Sequence, residues 1–306
     1  RKMAARWIRK WLLDTDELPW TGEIKTRADE ELQATASGQV VTSYPEERTV
    51  SDINLERATR LSARRRRFWR ENGTRECLAA VRKLIGFEKP GDSVATRVVE
   101  TVDKDGFTIR KVVISSRGGV PLPALLFVPD EDGKHPTTLF VDGRGKDVEA
   151  DGTIEKRVSE GRMVLSVDLR GFGELADDQR RVPGKFYNVE HRLAVISLFL
   201  GRPLLGQRVE DLFRALRVLR ETEGAQAEDI ELVGIGRAGP VALHAAAFSD
   251  RFSAVILRDS IRSWVRDVVA RPLRRNQAGH VVPGALLKYD LPYLLSTIEA
   301  EHVEWN

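Results

Sequence analysis

Residues 231–243, Glu-Leu-Val-Gly-Ile-Gly-Arg-Ala-Gly-Pro-Val-Ala-Leu, constrain the fold more than any other part of this chain. They predict a short buried strand, a glycine-rich turn and an alanine-rich helix in immediate succession. A strand that passes into a helix through so tight a turn is typical of an α/β protein. The turn also places small residues at a strand end, where such proteins keep their ligands and reactive groups.

Two kinds of site use such a turn. In a dinucleotide site, Gly234, Gly236 and Gly239 satisfy the pattern G-x-G-x-x-G, and Asp259 follows twenty residues after the last glycine, where it would meet a ribose hydroxyl. In an esterase the same turn is a nucleophile elbow, and its nucleophile position falls on Gly236. Glycine has no side chain that can attack an acyl carbon, so serine-hydrolase chemistry cannot run from this position.

The strands before the turn favour the esterase interpretation. Residues 95–102, 107–115 and 121–128 are β-branched, partly alternating runs that predict a small antiparallel set. Short apolar runs separated by helical stretches then predict a buried parallel sheet. These runs are residues 137–141, 163–167, 230–233 and 254–257. Because a dinucleotide fold normally opens with its fingerprint strand, the nucleotide site is retained as the alternative.

Three further motifs accompany the turn: Val-Asp-Gly-Arg-Gly at 141–145, Val-Asp-Leu-Arg-Gly-Phe-Gly-Glu at 167–174, and the helical stretch 211–219. With them the chain resembles the α/β-hydrolase superfamily, in its acetyl xylan esterase and dienelactone hydrolase-like branch, over roughly residues 95–260. The turn D-x-R-G-x-G that begins at Asp168 is the most specific element. The resemblance implies an α/β-hydrolase fold, with a mostly parallel sheet flanked by helices.

The resemblance also implies roles for residues around Gly236. Gly143 or Arg144 would donate one oxyanion-hole N–H, and Arg237 would donate the other. The family usually carries histidine-glycine where this chain has Asp142-Gly143, and a carboxylate there opposes the charge that develops on the oxyanion. The other residues expected around this vestigial cleft are Asp168, Arg170, Gly234, Gly239, Asp259 and Ser260.

The family's catalytic acid follows its seventh strand and its histidine follows the eighth, whereas this chain ends at Asn306. We therefore expect no intact triad, and a carbohydrate-esterase-like domain that is inactive alone. His244 is expected to pack within the elbow helix, and His280 has no acid partner readable from spacing. The alternatives are an active esterase that uses Ser260 as a displaced nucleophile or borrows residues from a partner, and a nucleotide-binding module that uses residues 234–239.

The chain divides into three predicted segments. Residues 1–50 form an amphipathic helix and a linker, and the helix resembles the last helix of a preceding hydrolase unit in a tandem protein. Residues 51–94 form a helical lead-in. Residues 95–306 form the hydrolase-like domain, which we expect to be C-terminally incomplete. An incomplete sheet would leave an open edge after the strand at 254–257, which favours association.

Composition limits the partners. The 49 basic residues almost balance 46 acidic ones, so we expect no nucleic-acid partner. No run is apolar enough for a signal peptide or a membrane span, so we expect no membrane partner. The one cysteine and the scattered histidines predict no metal site, and we expect no cofactor. The expected partners are an acylated carbohydrate or small ester ligand, a sister hydrolase unit, or a second copy of the chain. No compartment is indicated.

Overall fold

The computed structural model describes residues 2–17, 25–91, 93–176, 189–271 and 277–306. The chain forms two compact units, Arg1–Thr49 and Val50–Asn306. The helices of the first unit are α1 (Lys2–Leu13), α2 (Asp29–Leu32) and α3 (Val40–Ser43). Helix α1 is amphipathic as predicted, because Trp7, Ile8, Trp11 and Leu12 recur at helical spacing between basic residues.

The second unit begins with two helices, and further helices connect the strands of one sheet. They are α4 (Val50–Glu71), α5 (Thr74–Leu84), α6 (Glu155–Ser159), α7 (Val189–Phe199), α8 (Leu204–Glu221), α9 (Gly239–Ala247), α10 (Ala285–Lys288) and α11 (Leu291–Leu295). Helix α8 buries Val209, Leu212, Leu216 and Leu219, whose spacing of three and four residues gives it one apolar face. None of the helices in the described ranges is both long and apolar enough to cross a bilayer.

Eight strands form the sheet in the order β1-β2-β3-β5-β4-β6-β7-β8. They are β1 (Val94–Lys104), β2 (Phe107–Ser116), β3 (Leu122–Pro129), β4 (His135–Asp142), β5 (Met163–Val167), β6 (Ala225–Ile235), β7 (Ala254–Arg258) and β8 (His302–Trp305). Strands β1 to β3 pair antiparallel, and β3 joins β5 antiparallel. The remaining neighbours are parallel. The predicted α/β class, with a mostly parallel sheet flanked by helices, is confirmed.

The open edge expected after the strand at 254–257 is not present, and that expectation was wrong. Strand β8 pairs parallel with β7 in the register Ala254 with His302 and Leu257 with Trp305. Val303 and Trp305 pack against the main core. The four residues of β8 alternate polar and apolar, as in a half-buried strand, and the strand was missed because the prediction of the parallel sheet rests on continuous apolar runs alone.

The parallel strands end together at the edge where the candidate site lies. Asp142 at the end of β4 is in register with Ile235 at the end of β6, and Ile235 is in register with Arg258 at the end of β7. The loops that follow these three strands therefore meet at one place, which is where ligands bind in open α/β sheets.

Candidate functional site

A cavity of about 330 Å³ opens at the carboxyl ends of β4, β6 and β7. Its lining residues are Asp142, Gly143, Arg144, Ile235, Gly236, Arg237, Asp259, Ile261, Gln277 and His280. The structure thus brings together the predicted nucleophile position, the three predicted oxyanion-hole residues, and two residues of the predicted cleft, Asp142 and Asp259. We call this cavity the cleft.

Gly236 lies in the glycine turn between β6 and α9, at the predicted nucleophile position. Its φ of +60° lies in the left-handed region, which glycine adopts without the penalty of a β-carbon. A β-carbon added at Gly236 would meet no atom within 4 Å, whereas one at Gly234 would lie 2.6 Å from Cβ of Ala242. One at Gly239 would lie 2.0 Å from Oγ of Ser260. The flanking glycines therefore allow close packing, while the nucleophile position itself faces open space.

The loop after β4 does not present a free N–H. The N–H of Gly143 donates to the carbonyl oxygen of Ile235 at 3.1 Å, and the N–H of Arg144 donates to Oδ1 of Asp142 at 2.7 Å. Because both groups are already bonded within the protein, this arrangement departs from the expectation that one of them faces an oxyanion. A β-carbon at Gly143 would come within 2.8 Å of Cβ of Arg237, so the two loops lie in close contact.

Asp142 does not present an uncompensated charge to the cleft. It is buried, and the Arg144 guanidinium donates to its two oxygens at distances of 2.6 to 3.1 Å. Arg144 also donates to Glu149 at 2.6 Å. The hydrogen bonds that Arg144 donates to Asp142 raise the pKa of Arg144 above its ordinary value, and the one that it donates to Glu149 lowers the pKa of Glu149. The Asp142 carboxylate is therefore neutralised locally, a compensation that sequence reasoning did not include.

The side chain of Arg237 is held in place by its contacts with neighbouring residues. Its guanidinium donates to the carbonyl of Gly143 and to Glu190 on α7, and it lies 5.1 Å above the ring of Phe172. Glu190 also accepts a bond of 2.9 Å from Arg208, which is completely buried. Burial alone would raise the pKa of Glu190, but the two arginines outweigh it and lower that pKa. The ionic cluster of Glu190, Arg208 and Arg237, in which Glu190 and Arg208 are buried, thus holds the residue that follows the predicted nucleophile position.

Asp168 and Arg170, which were expected at the cleft, do not line it. Asp168 is completely buried and accepts the N–H groups of Lys146 at 2.7 Å and Glu174 at 2.9 Å. Arg170 pairs with Asp211 of α8 through bonds of 2.6 and 2.7 Å. The D-x-R-G-x-G turn therefore stabilises the loops that follow β4 and β5 and connects them to α8.

The two candidate residues after β7 lie differently. Asp259 lines the cleft, is exposed, and has a φ of +51°, which is uncommon for a residue with a β-carbon. Ser260 is not among the lining residues, and its hydroxyl donates to the carbonyl of Ile261 at 3.3 Å. Residues with a strained backbone, such as Asp259, cluster at functional sites, so Asp259 is the stronger candidate of the two for a functional role.

Like Gln277 and Ile261, His280 lines the cleft although no sequence motif placed it there. Its Nε2 donates to the carbonyl oxygen of Arg237 at 2.8 Å, and burial lowers its pKa to about 4, so the ring is neutral at pH 7. It ends the short 3-10 helix Ala278–His280, far along the chain from the glycine turn. His244 packs inside α9 as expected, where Nδ1 donates to Pro240 at 2.6 Å and Nε2 accepts from Tyr289 at 2.9 Å.

Comparison with known proteins shows what this architecture is similar to. A scan of protein-family models and a search of curated proteins both find no match. Among solved structures, a candidate acetyl xylan esterase from Bacteroides fragilis NCTC 9343 matches with a TM-score of 0.65 and 16% identity, covering 75% of this chain and 66% of that one. The chain therefore spans just under two thirds of that protein's length.

A second match is Acetyl Xylan Esterase 1 from Thermoanaerobacterium sp. JW/SL YS485. It has a TM-score of 0.52 and 15% identity, and the match covers 75% of this chain and 76% of that one. At such identities the likeness concerns the fold alone. The chain therefore has the α/β-hydrolase fold that those acetyl xylan esterases also have.

Proposed function

We propose that this chain is an esterase-like α/β-hydrolase domain whose cleft binds an ester or an acylated carbohydrate without hydrolysing it. The observation that carries the proposal is Gly236. The backbone there has the left-handed bend of a nucleophile elbow, and the space above it is open. Glycine supplies no group that can form an acyl-enzyme, so the covalent route is closed at this position.

The surroundings of Gly236 support the same proposal. The N–H groups of Gly143 and Arg144 are engaged by protein acceptors, which weakens stabilisation of a tetrahedral oxyanion. His280 donates from Nε2 to a backbone carbonyl, and with a pKa of about 4 it is a poor general base at neutral pH. The Ser260 hydroxyl is directed to the Ile261 carbonyl instead of the cleft.

Asp259 is the residue best placed to hold a ligand. Its carboxylate is exposed in the cleft and can accept hydrogen bonds from the hydroxyl groups of a sugar. The cavity of about 330 Å³ is near the small end of ligand sites, which span roughly 300–1,000 Å³, and would take one sugar ring and its acyl group. The names of the similar structures suggest acetylated xylo-oligosaccharides as the first ligands to test.

The first experiment measures hydrolysis of p-nitrophenyl acetate by the wild type, Gly236→Ser and Ser260→Ala. We expect the wild type to match the protein-free rate, because no serine, threonine or cysteine of the described ranges lines the cleft. Turnover by the wild type that Ser260→Ala abolishes would show that a displaced nucleophile operates and that the proposal is wrong. Turnover by Gly236→Ser alone would locate the missing function at this one residue. If neither the wild type nor Gly236→Ser hydrolyses the ester, the catalytic acid and base are missing as well as the serine.

The second experiment measures binding of acetylated xylo-oligosaccharides by calorimetry. We expect Asp259→Ala to weaken binding by about tenfold or more, the usual effect of removing a charged hydrogen-bond acceptor. Asp103→Ala, which removes an equally exposed carboxylate from β1, is the matched control and should bind like the wild type. If the wild type binds no oligosaccharide, the ligand part of the proposal fails. Packing against a sister unit or a second copy would then be the role to examine, by size-exclusion chromatography.

One observation keeps the nucleotide alternative in view. Asp259 lines the same cavity as Gly236, which is the juxtaposition that a dinucleotide fingerprint requires. If the alternative holds, NAD raises the unfolding temperature of the wild type, since a ligand stabilises the state that it binds. We expect no such shift, because β6 follows five other strands and does not open the fold.

A further inference from the structure

A second and larger cavity lies apart from the cleft. It has a volume of about 880 Å³ and is lined by α5, by Lys89 and its neighbours before β1, by α8, and by the end of α9 with the segment that follows it. None of its lining residues lines the cleft. Seven of them are basic and three are acidic, so this cavity, which we call the basic groove, has an excess of positive charge.

Part of that charge is compensated within the protein. Arg217 pairs with Glu221 at 2.8 Å, and Arg251 lies 3.6 Å from Asp250. Arg75, Lys89 and Arg220 have no carboxylate within ion-pair distance among the residues that the structure describes. Three uncompensated cations on the wall of a concave site produce a positive potential that attracts anions.

Arg82 belongs to the same wall and has a structural task. Its guanidinium lies 4.7 Å above the ring of Phe248 and donates to the Phe248 carbonyl at 3.2 Å, which caps the end of α9. It thereby offsets the negative end of that helix dipole. The charges of Arg75, Lys89 and Arg220 are consequently not needed for the helix end.

The groove also has an apolar part. Leu78 of α5 and Phe213 of α8 line it and are only partly buried. The ring of Phe87 packs against Phe213 and against Phe248, with 5.4 Å between centroids in each pair, so this wall is firmly held. A ligand that joins an anionic group to an apolar body matches both parts of the groove.

We propose that the basic groove binds a phosphorylated small molecule, with its phosphates on Arg75, Lys89 and Arg220 and its organic part against Leu78 and Phe213. Arginine guanidinium groups suit phosphate because they donate two parallel hydrogen bonds to its oxygens. The site is independent of the cleft, so this proposal and the proposed function can fail separately.

The probe is ATP without a divalent metal, titrated by calorimetry at low and physiological salt, with tripolyphosphate and adenosine as its two halves. ATP is expected to bind more tightly than either half and to weaken as salt rises. Arg75→Gln and Arg220→Gln should each weaken binding several-fold. Arg117→Gln, which removes an exposed arginine from the β2–β3 turn, is the matched control and should leave binding unchanged.

Three results would overturn the proposal. Tripolyphosphate that binds as tightly as ATP would leave only non-specific anion binding. An Arg117→Gln control that weakens binding as much as Arg75→Gln does would show that no specific site is involved. Loss of ATP binding in Gly236→Ser with normal binding in Arg75→Gln and Arg220→Gln would place the nucleotide at the glycine turn instead. Unfolding temperatures of all variants show whether a lost signal reflects lost folding.

Discussion

Replacing Glu190 with glutamine tests whether the ionic cluster of Glu190, Arg208 and Arg237 holds the glycine turn in place. Glu190 is the carboxylate between Arg208, which is completely buried, and Arg237, which follows the nucleophile position. Arg208 has one nitrogen, Nη2, that already lacks a partner among the described residues. Glutamine keeps the volume and one acceptor but removes the charge, so Arg208 would remain buried without a counter-ion.

Removing one partner of a buried ion pair destabilises a protein by about 3–5 kcal/mol. Because the amide oxygen can still accept one bond, we expect about 3 kcal/mol for Glu190→Gln, near the lower limit. In a domain of this size each kcal/mol lowers the unfolding temperature by about 2–4 °C, which predicts a fall of about 6–12 °C. Urea unfolding followed by tryptophan fluorescence measures the free energy, and calorimetry measures the temperature.

The pH dependence adds a second test. The pKa of Glu190 is lowered from 4.5, so its stabilising contribution is complete above that pH and is lost as the pH falls through the folded-state pKa. The difference between wild type and Glu190→Gln should therefore be constant near neutrality and shrink below pH 4.5. Glu71→Gln, which breaks an exposed pair with Arg67, is the control and should change stability far less. A Glu190→Gln variant as stable as this control would refute the reasoning.

Four further variants test the glycine turn, the helix α9 and the residue after β7. Burial lowers the pKa of His244 to about 4, so its neutral form stabilises the fold fully above pH 6.5. Up to about 3 kcal/mol of the free energy of unfolding is lost between pH 6.5 and 4, because the buried ring must then take up a proton. Urea titrations of His244→Gln should show a flatter pH profile than those of the wild type. Gly236→Ala should lower the free energy of unfolding by about 1 kcal/mol, because alanine is disfavoured at a left-handed φ. Gly234→Ala should lower it more, because the added β-carbon clashes with Ala242. Equal losses would contradict the packing described for the glycine turn. Asp259→Gly should raise the unfolding temperature slightly, because glycine relieves the positive φ, and a fall would show that the Asp259 side chain stabilises the fold.

Features encoded in local runs were predictable. The apolar stretches that form β4 and β5 fill the sheet interior, and the glycine turn at 234–239 has a geometry that few other residues allow. The position of Gly236 at a strand end followed from the same short segment. Strand β8 was missed because half of its residues are polar and its apolar contacts are made only after β7 is in place.

Features that depend on distant segments were not predictable. Glu190 on α7 meets Arg237 and His280 lines the cleft only through tertiary packing, and neither belongs to a motif. The compensation of Asp142 by Arg144 was within local reach, since the two are two residues apart, but loop conformation decides whether they meet. Asp168 and Arg170 were placed at the cleft by resemblance, and their own hydrogen bonds turn them toward the loops beneath it.

The strand order also has a consequence for how the sheet assembles. Strands β1, β2 and β3 follow one another along the chain, so short loops close their pairings. Strand β4, by contrast, pairs with β6, and Thr138 there meets Glu231 across a long loop that contains β5, α7 and α8. Loop closure costs more entropy as the loop grows, and such distant pairings slow folding. The antiparallel half can therefore form early, whereas the cleft between β4, β6 and β7 takes shape only when most of the chain has already been ordered.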